Sequence, residues 1–164
     1  MKLSAGGKGR APVMLEHMIL PFYRYADFQG RSRRMEFWSF AVLNVVVMAV
    51  LASLAFSTGF SHRVLLQRAE FGGRLGIAAI AFFAILGIYS LATLVPSIAV
   101  NVRRLHDRDM SGWWCLGFVV LGVVPVFGWI ASICYLVIMF LPGTPGANRF
   151  GEDPKDPAGS QIFI

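Results

Sequence analysis

Residues 75–112 read LGIAAIAFFAILGIYSLATLVPSIAVNVRRLHDRDMSG: 26 positions without a charge, then three arginines, two aspartates and a histidine crowded into the last twelve. A helix rises about 1.5 Å per residue, and about 20 apolar residues cross a hydrocarbon core of about 30 Å. The stretch is therefore long enough to span a membrane, and its charge begins where such a span would end. Two further blocks repeat the pattern: residues 37–60, FWSFAVLNVVVMAVLASLAFSTGF, and residues 113–141, WWCLGFVVLGVVPVFGWIASICYLVIMFL, carry no charge in 24 and 29 positions. The whole chain is 56% hydrophobic and only 15% charged, against roughly 45–50% and 25% for a soluble domain. So short a chain has no polar shell with which to hide three such blocks from water. The fold expected is an all-α integral membrane protein.

The net charge of +6 does not point to nucleic acid, because the basic residues flank the apolar blocks instead of forming a separate stripe. Residues 1–36 carry a net +4, 61–74 a net +2, 101–112 a net +1 and 142–164 a net −1. Lysine and arginine beside spans act as orientation signals and contacts to anionic lipid. With the N-terminus cytoplasmic, segments 1–36 and 101–112 place ten basic residues inside and loop 61–74 places three outside. Both cysteines, Cys115 and Cys134, lie in the third block, where they read as packing residues and not as a disulfide framework or zinc set. No cofactor or metal is expected. No cleavable signal peptide is visible ahead of Glu16 and His17, and Met14 stands as an alternative start.

The organisation expected is a flexible basic arm at 1–13, a single transmembrane domain at 14–154 and a flexible tail at 155–164. In MLEHMILPFYRYADF, residues 14–28, Met14, Met18, Phe22 and Ala26 recur four apart. That spacing reads as an N-terminal interfacial helix, bent or restarted at Pro21. Loop 61–74 reads as a short interfacial helix ending at Gly72 and Gly73. The third block would be about 43 Å long as one helix, too long for a simple crossing. It reads as a helical hairpin broken at Pro125 and Gly128, giving a small helical bundle of two full spans plus that hairpin; the alternative is one long tilted third span. The hairpin returns the C-terminus to the cytoplasm.

Three polar segments flank the blocks: FQGRSRRMEFW at 28–38, NVRRLHDRDMSGWW at 101–114 and LPGTPGANRFGEDP at 141–154. In this order they resemble the signature of the bacterial inner-membrane family known as domain of unknown function 805, the YhaH/YhaI-like proteins, over roughly residues 20–154. The resemblance implies a multi-span helical fold in the bacterial inner membrane. It brings no activity, ligand or catalytic residue. Phe150 of NRFG stands where similar proteins often carry tyrosine, so no phenolic chemistry is expected there.

Two crossings separate the first two segments, so they meet at one membrane face. Arg31, Arg33, Arg34 and Glu36 then share an interface with Arg103, Arg104, His106, Asp107, Arg108 and Asp109. The pairings expected are Glu36 with Arg103 or Arg104, and Asp107 with Arg33 or Arg34. With a cytoplasmic tail, Asn148 and Arg149 fold back and complete one polar cap. Arginine's planar fork suits phosphate, so the cap is also a candidate anion site. Trp38, Trp113 and Trp114 read as the aromatic belt of the same face.

The three blocks hold no Asp, Glu, Lys, Arg or His, and such residues inside a membrane usually mark transport pathways. The function expected is that of a non-enzymatic inner-membrane protein whose cytoplasmic cap binds anionic lipid headgroups or a protein partner; the partners expected are membrane lipids and either a membrane protein or further copies of the chain in a homo-oligomer. Two alternatives use other residues. A small transporter or channel subunit would use Asn44 and the breaks at Pro96 and Pro125; a lipid-headgroup enzyme would use His106 and Asp107 as proton carriers.

Overall fold

The computed structural model describes residues 13–59 and 76–155. The loop at 61–74 lies outside these residues, as do the basic arm and the tail except for Val13 and Lys155. Among the described residues the chain forms five helices and no strand, only an isolated bridge between Asn148 and Gly151. In chain order they are α1 (Val13–Tyr23), α2 (Arg34–Gly59), α3 (Gly76–His106), α4 (Trp113–Val123) and α5 (Phe127–Phe140).

Helices α2 and α3 contain apolar stretches, Arg34–Ser57 and Ala81–His106, long enough to cross a membrane. Several of their charges sit where helix dipoles favour them, Arg34 at the start of α2 being the exception. Glu36 lies in the first turn of α2, and Arg103, Arg104 and His106 lie in the last turn of α3, against the positive and negative helix ends respectively.

The N-terminal helix is shorter than the spacing suggests, and it runs through Pro21 instead of restarting there. It stops at Tyr23 because the next residues make a turn of their own. Arg24 pairs with Asp27 at 2.7 Å, and Asp27 Oδ1 accepts the Gln29 amide at 3.0 Å.

The third apolar block is two helices of 11 and 14 residues that pack on each other. At about 16 and 21 Å, neither is long enough to cross the hydrocarbon core by itself. Val124 is extended, as a residue before proline prefers, and Val126 takes a φ of 68°, unusual for a β-branched residue. Gly128 permits the turn: a Cβ there would lie 2.6 Å from the Gly122 carbonyl oxygen.

By contacts the chain forms two compact units, one of residues up to Phe40 and from Pro96 onward, the other of Ala41–Val95. The first has a core of Phe37, Phe40, Val100, Leu105 and Met139, with Phe22, Trp38, Phe118 and Tyr135 packed against it. The second holds α2 to α3 through Tyr89, which donates to Asn44 Oδ1 at 3.0 Å. Ser90 and Thr93 donate to carbonyls of their own helix, the usual disposal of small hydroxyls in apolar surroundings.

Candidate functional site

The charged residues of the first unit close into one network around the start of α2, the end of α3 and the segment after α5. Arg103 donates to Glu36 Oε1 at 2.8 Å and to the carbonyls of Asp27 and Arg24. Arg103 is 0% exposed and Glu36 4%. A buried ion pair is tolerable only when further hydrogen bonds complete it, and the two carbonyls do part of that. One of the two partners expected for Glu36 is thus the one observed.

For Asp107 the expected partners are wrong. Its Oδ1 accepts from Arg31 Nε at 2.9 Å and its Oδ2 from Arg104 Nη1, while Arg33 and Arg34 are exposed. The cause is the segment before α2. Ser32 donates its amide to the Arg103 carbonyl at 3.1 Å, which lays this segment along the end of α3 and brings Arg31 to Asp107. Arg33 and Arg34 come after that contact, where the backbone turns into α2. Arg31 also donates to the carbonyls of Thr144 at 2.5 Å and Gly146 at 2.6 Å. A Cβ at Gly143 would run into Asp107 Oδ2, so only glycine lets this segment reach the carboxylate.

The arginines also cap α5. Carbonyls at a helix C-terminus have no partner within the helix. Here Met139 and Leu141 accept from Arg104, Phe140 from Arg34 and Pro142 from Arg108. The end of the apolar pair α4 and α5 is therefore held by three guanidinium groups.

The third polar segment folds onto the second. Asn148 donates to the His106 carbonyl at 2.9 Å and to Thr144 Oγ1 at 3.0 Å, and Thr144 donates its amide to the Asp107 carbonyl. Phe150 stacks on the His106 ring at 3.8 Å and 4°, and His106 Nδ1 lies 3.2 Å from the Gly30 carbonyl. Arg149 pairs with Asp109 at 3.1 Å with both side chains about half exposed. His106 and Asp107 thus face different partners, as adjacent helical residues must.

All ten expected cap residues lie in this one unit. Arg31, Glu36, Arg103, Arg104 and Asp107 form its buried part, His106 and Asn148 bridge it, and Arg33, Arg34 and Arg149 stay outside. Among the described residues no three His, Cys, Asp or Glu side chains come together to hold a metal ion. Asp27 and Gly143 are among the members of the network that lie outside the ten expected residues. Burial works to raise the Asp27 carboxyl, but the Arg24 hydrogen bond, the Gln29 amide and the charges of Arg24 and Arg103 together hold it below the usual aspartate value. The Arg-x-x-Asp spacing of Arg24 and Asp27 was a readable signal; Gly143 had none beyond its turn-rich surroundings.

The profile of the family described as "Protein of unknown function (DUF805)" matches residues 25–152, which contain all ten of the expected cap residues. The chain belongs to that family. It is 40% identical over 131 residues to inner membrane protein YhaH of Escherichia coli (strain K12), covering 80% of this chain and 89% of that one. Inner membrane protein YhaI of the same strain is 35% identical, covering 80% and 88%. Its uncharacterized protein YiiR is 29% identical over 148 residues, covering 79% and 87%. No solved structure matches the chain. The chain is thus a DUF805 protein with two helices long and apolar enough to cross a membrane, and its relatives YhaH and YhaI are inner membrane proteins.

Proposed function

We propose that this DUF805 protein is non-enzymatic and that the outer arginines of its cap bind anionic lipid headgroups at the cytoplasmic face. The observation that carries the reading is a division of labour. Arg31, Arg103 and Arg104 are buried and spend their donors on carboxylates and carbonyls. Arg33 and Arg34 are exposed and enter no ion pair among the described residues, Arg34 spending only one donor, on the Phe140 carbonyl. Two adjacent exposed guanidiniums at the end of a spanning helix are suited to phosphate.

The topology proposed is an N-terminus and a C-terminus both in the cytoplasm. The basic bias supports the first. The contacts of Asn148, Thr144 and Phe150 with the end of α3 support the second, because they tie the segment after α5 to the end where α3 leaves the membrane. In this reading α4 and α5 form a hairpin that enters from the cytoplasmic side and returns to it. Helix α1 lies in the headgroup layer, with Met14, Leu15 and Ile19 exposed to lipid and Phe22 packed edge-on against Phe40 at 5.3 Å. Trp38, Trp113 and Trp114 form the belt.

The test is lipid retention. The protein is purified from native membranes with Arg33→Gln and Arg34→Gln combined, a change that keeps the buried ion pairs and removes one exposed hydrogen bond, from Arg34 to the Phe140 carbonyl. Loss of anionic lipid relative to neutral lipid supports the proposal; an unchanged ratio refutes it. If the ratio is unchanged and a co-purifying protein is lost instead, the outer arginines serve a protein partner. A reporter fused after Ile164 that proves active only in the periplasm refutes the topology.

A further inference from the structure

The first unit contains a second feature that the arginine cap does not use. A cleft of about 270 Å³ lies between α3 and the pair α4 and α5, walled by Asn101, Cys115, Phe118, Val119, Ala131 and Ser132, with Tyr135 and Leu136 completing it. Most of the wall is apolar. Of its polar members, Ser132 donates to the Gly128 carbonyl of its own helix, whereas the other two are joined: Tyr135 donates to Asn101 Oδ1, and Asn101 Nδ2 donates to the Ser97 carbonyl at 2.8 Å. The second Nδ2 proton of Asn101 has no acceptor among the described residues.

Depth identifies what fits. Asn101 and Tyr135 each lie five residues from the end of their helix, about 8 Å below the cap. Cys115 is in the first turn of α4. The hydrogen-bonding groups therefore stand just beneath the charged layer, and deeper wall residues such as Val119 and Ala131 are hydrocarbon. At the upper edge, Trp114 packs against the wall residue Phe118 at 6.1 Å, and Arg108 lies on the turn that leads to α4. From the cap downward the order is cation, amide, hydrocarbon. A phospholipid runs phosphate, ester, chain. A mostly apolar pocket with a few convergent polar groups is the usual form of a small-molecule site.

We propose that the cleft holds one acyl chain of a membrane phospholipid, with the ester carbonyl accepting from Asn101 and the phosphate beside Arg108. The bound chain fills a gap between α3 and α5 that the protein's own side chains leave open. This rests on the membrane orientation proposed above but not on Arg33 or Arg34.

The test uses the full chain in nanodiscs of phosphatidylglycerol, transferred to detergent and examined by native mass spectrometry. Wild type is expected to retain one phospholipid. Ala131→Leu and Ser132→Leu, which enlarge wall residues, are expected to lower the retained fraction about tenfold, the equivalent of ~1.4 kcal/mol. Equal retention by both variants, each still monodisperse, overturns the proposal. In case the variants misfold, wild-type Cys115, a free thiol in the cleft wall, gives a second measurement. Its alkylation by a maleimide in detergent should slow when phosphatidylglycerol is added. An unchanged rate, or protection by free oleate but not by phospholipid, overturns the proposal. If Arg33→Gln with Arg34→Gln keeps the retained lipid and only loses headgroup preference, the cleft stands and the outer arginines are confirmed as a separate site. If it keeps both, the cleft stands and the headgroup reading fails alone.

Discussion

The cap and the Ala41–Val95 unit invert the usual order of a protein. In the cap, Arg103 and Arg104 are 0% exposed and Asp107 is 3% exposed. In the other unit Val45 is 67% exposed and Leu91 70%. Soluble proteins almost never bury arginine so fully and would not leave such an apolar surface bare. The difference shows where each region gets its stability. Lipid tails are as apolar as leucine, so the spans gain little by hiding side chains from them. The cap cannot rely on the surroundings to satisfy its charges, so it pairs them internally. Among the described residues the buried ion pairs all lie in the unit that carries the cap.

The sharpest way to break this contrast is to remove one buried partner. Glu36→Ala leaves Arg103 uncompensated and should cost about 3–5 kcal/mol, read as a large fall in the thermal unfolding midpoint in detergent. Combining Glu36→Leu with Arg103→Met should recover much of that loss, because it removes both charges. Next comes the apolar unit. Leu91→Arg should impair membrane insertion by about 2.5–3.5 kcal/mol, measured with a glycosylation or protease reporter, whereas Leu91→Ala should change folded stability by less than about 0.5 kcal/mol. A loss as large for alanine as for arginine would mean that Leu91 is packed against protein.

Gly143→Ala sharpens the comparison from the cap side. The added methyl collides with a carboxylate that Arg31 and Arg104 hold in place, so it cannot be relieved by a free rotation. The expected cost is about 1–3 kcal/mol, against less than about 0.5 kcal/mol for Val45→Ala on the exposed apolar surface, both read from thermal unfolding in the same detergent. The smallest effect is at Asp27. Its folded-state carboxyl titrates below its ordinary value, so the contribution is present above an unfolded pKa of about 3.9 and is lost as pH falls through the folded value. Asp27→Asn should lower stability slightly across the neutral region, flatten the acid arm of the profile and leave the most acidic region nearly unchanged, read from thermal unfolding midpoints across pH.

The three charge-free blocks and the three polar segments were legible because each depends on local composition. So was the break at Pro125, since proline acts on its own residue and the one before it. The partners of Asp107 were not. Arg31 lies 76 positions away in the chain, and it reaches the carboxylate ahead of Arg33 and Arg34 only because the Ser32 amide docks on the Arg103 carbonyl. Gly143 and the Tyr135–Asn101 bond were equally hidden, because each depends on how closely two distant elements approach.

By itself the sequence determined the medium, the number of apolar blocks and the clustering of charge at their ends, since hydropathy and charge act residue by residue. Only the tertiary structure decided which arginines are buried in ion pairs, which remain exposed, and where α3 and α5 leave a cleft. Those outcomes depend on distances between elements far apart in the chain, which no local pattern encodes.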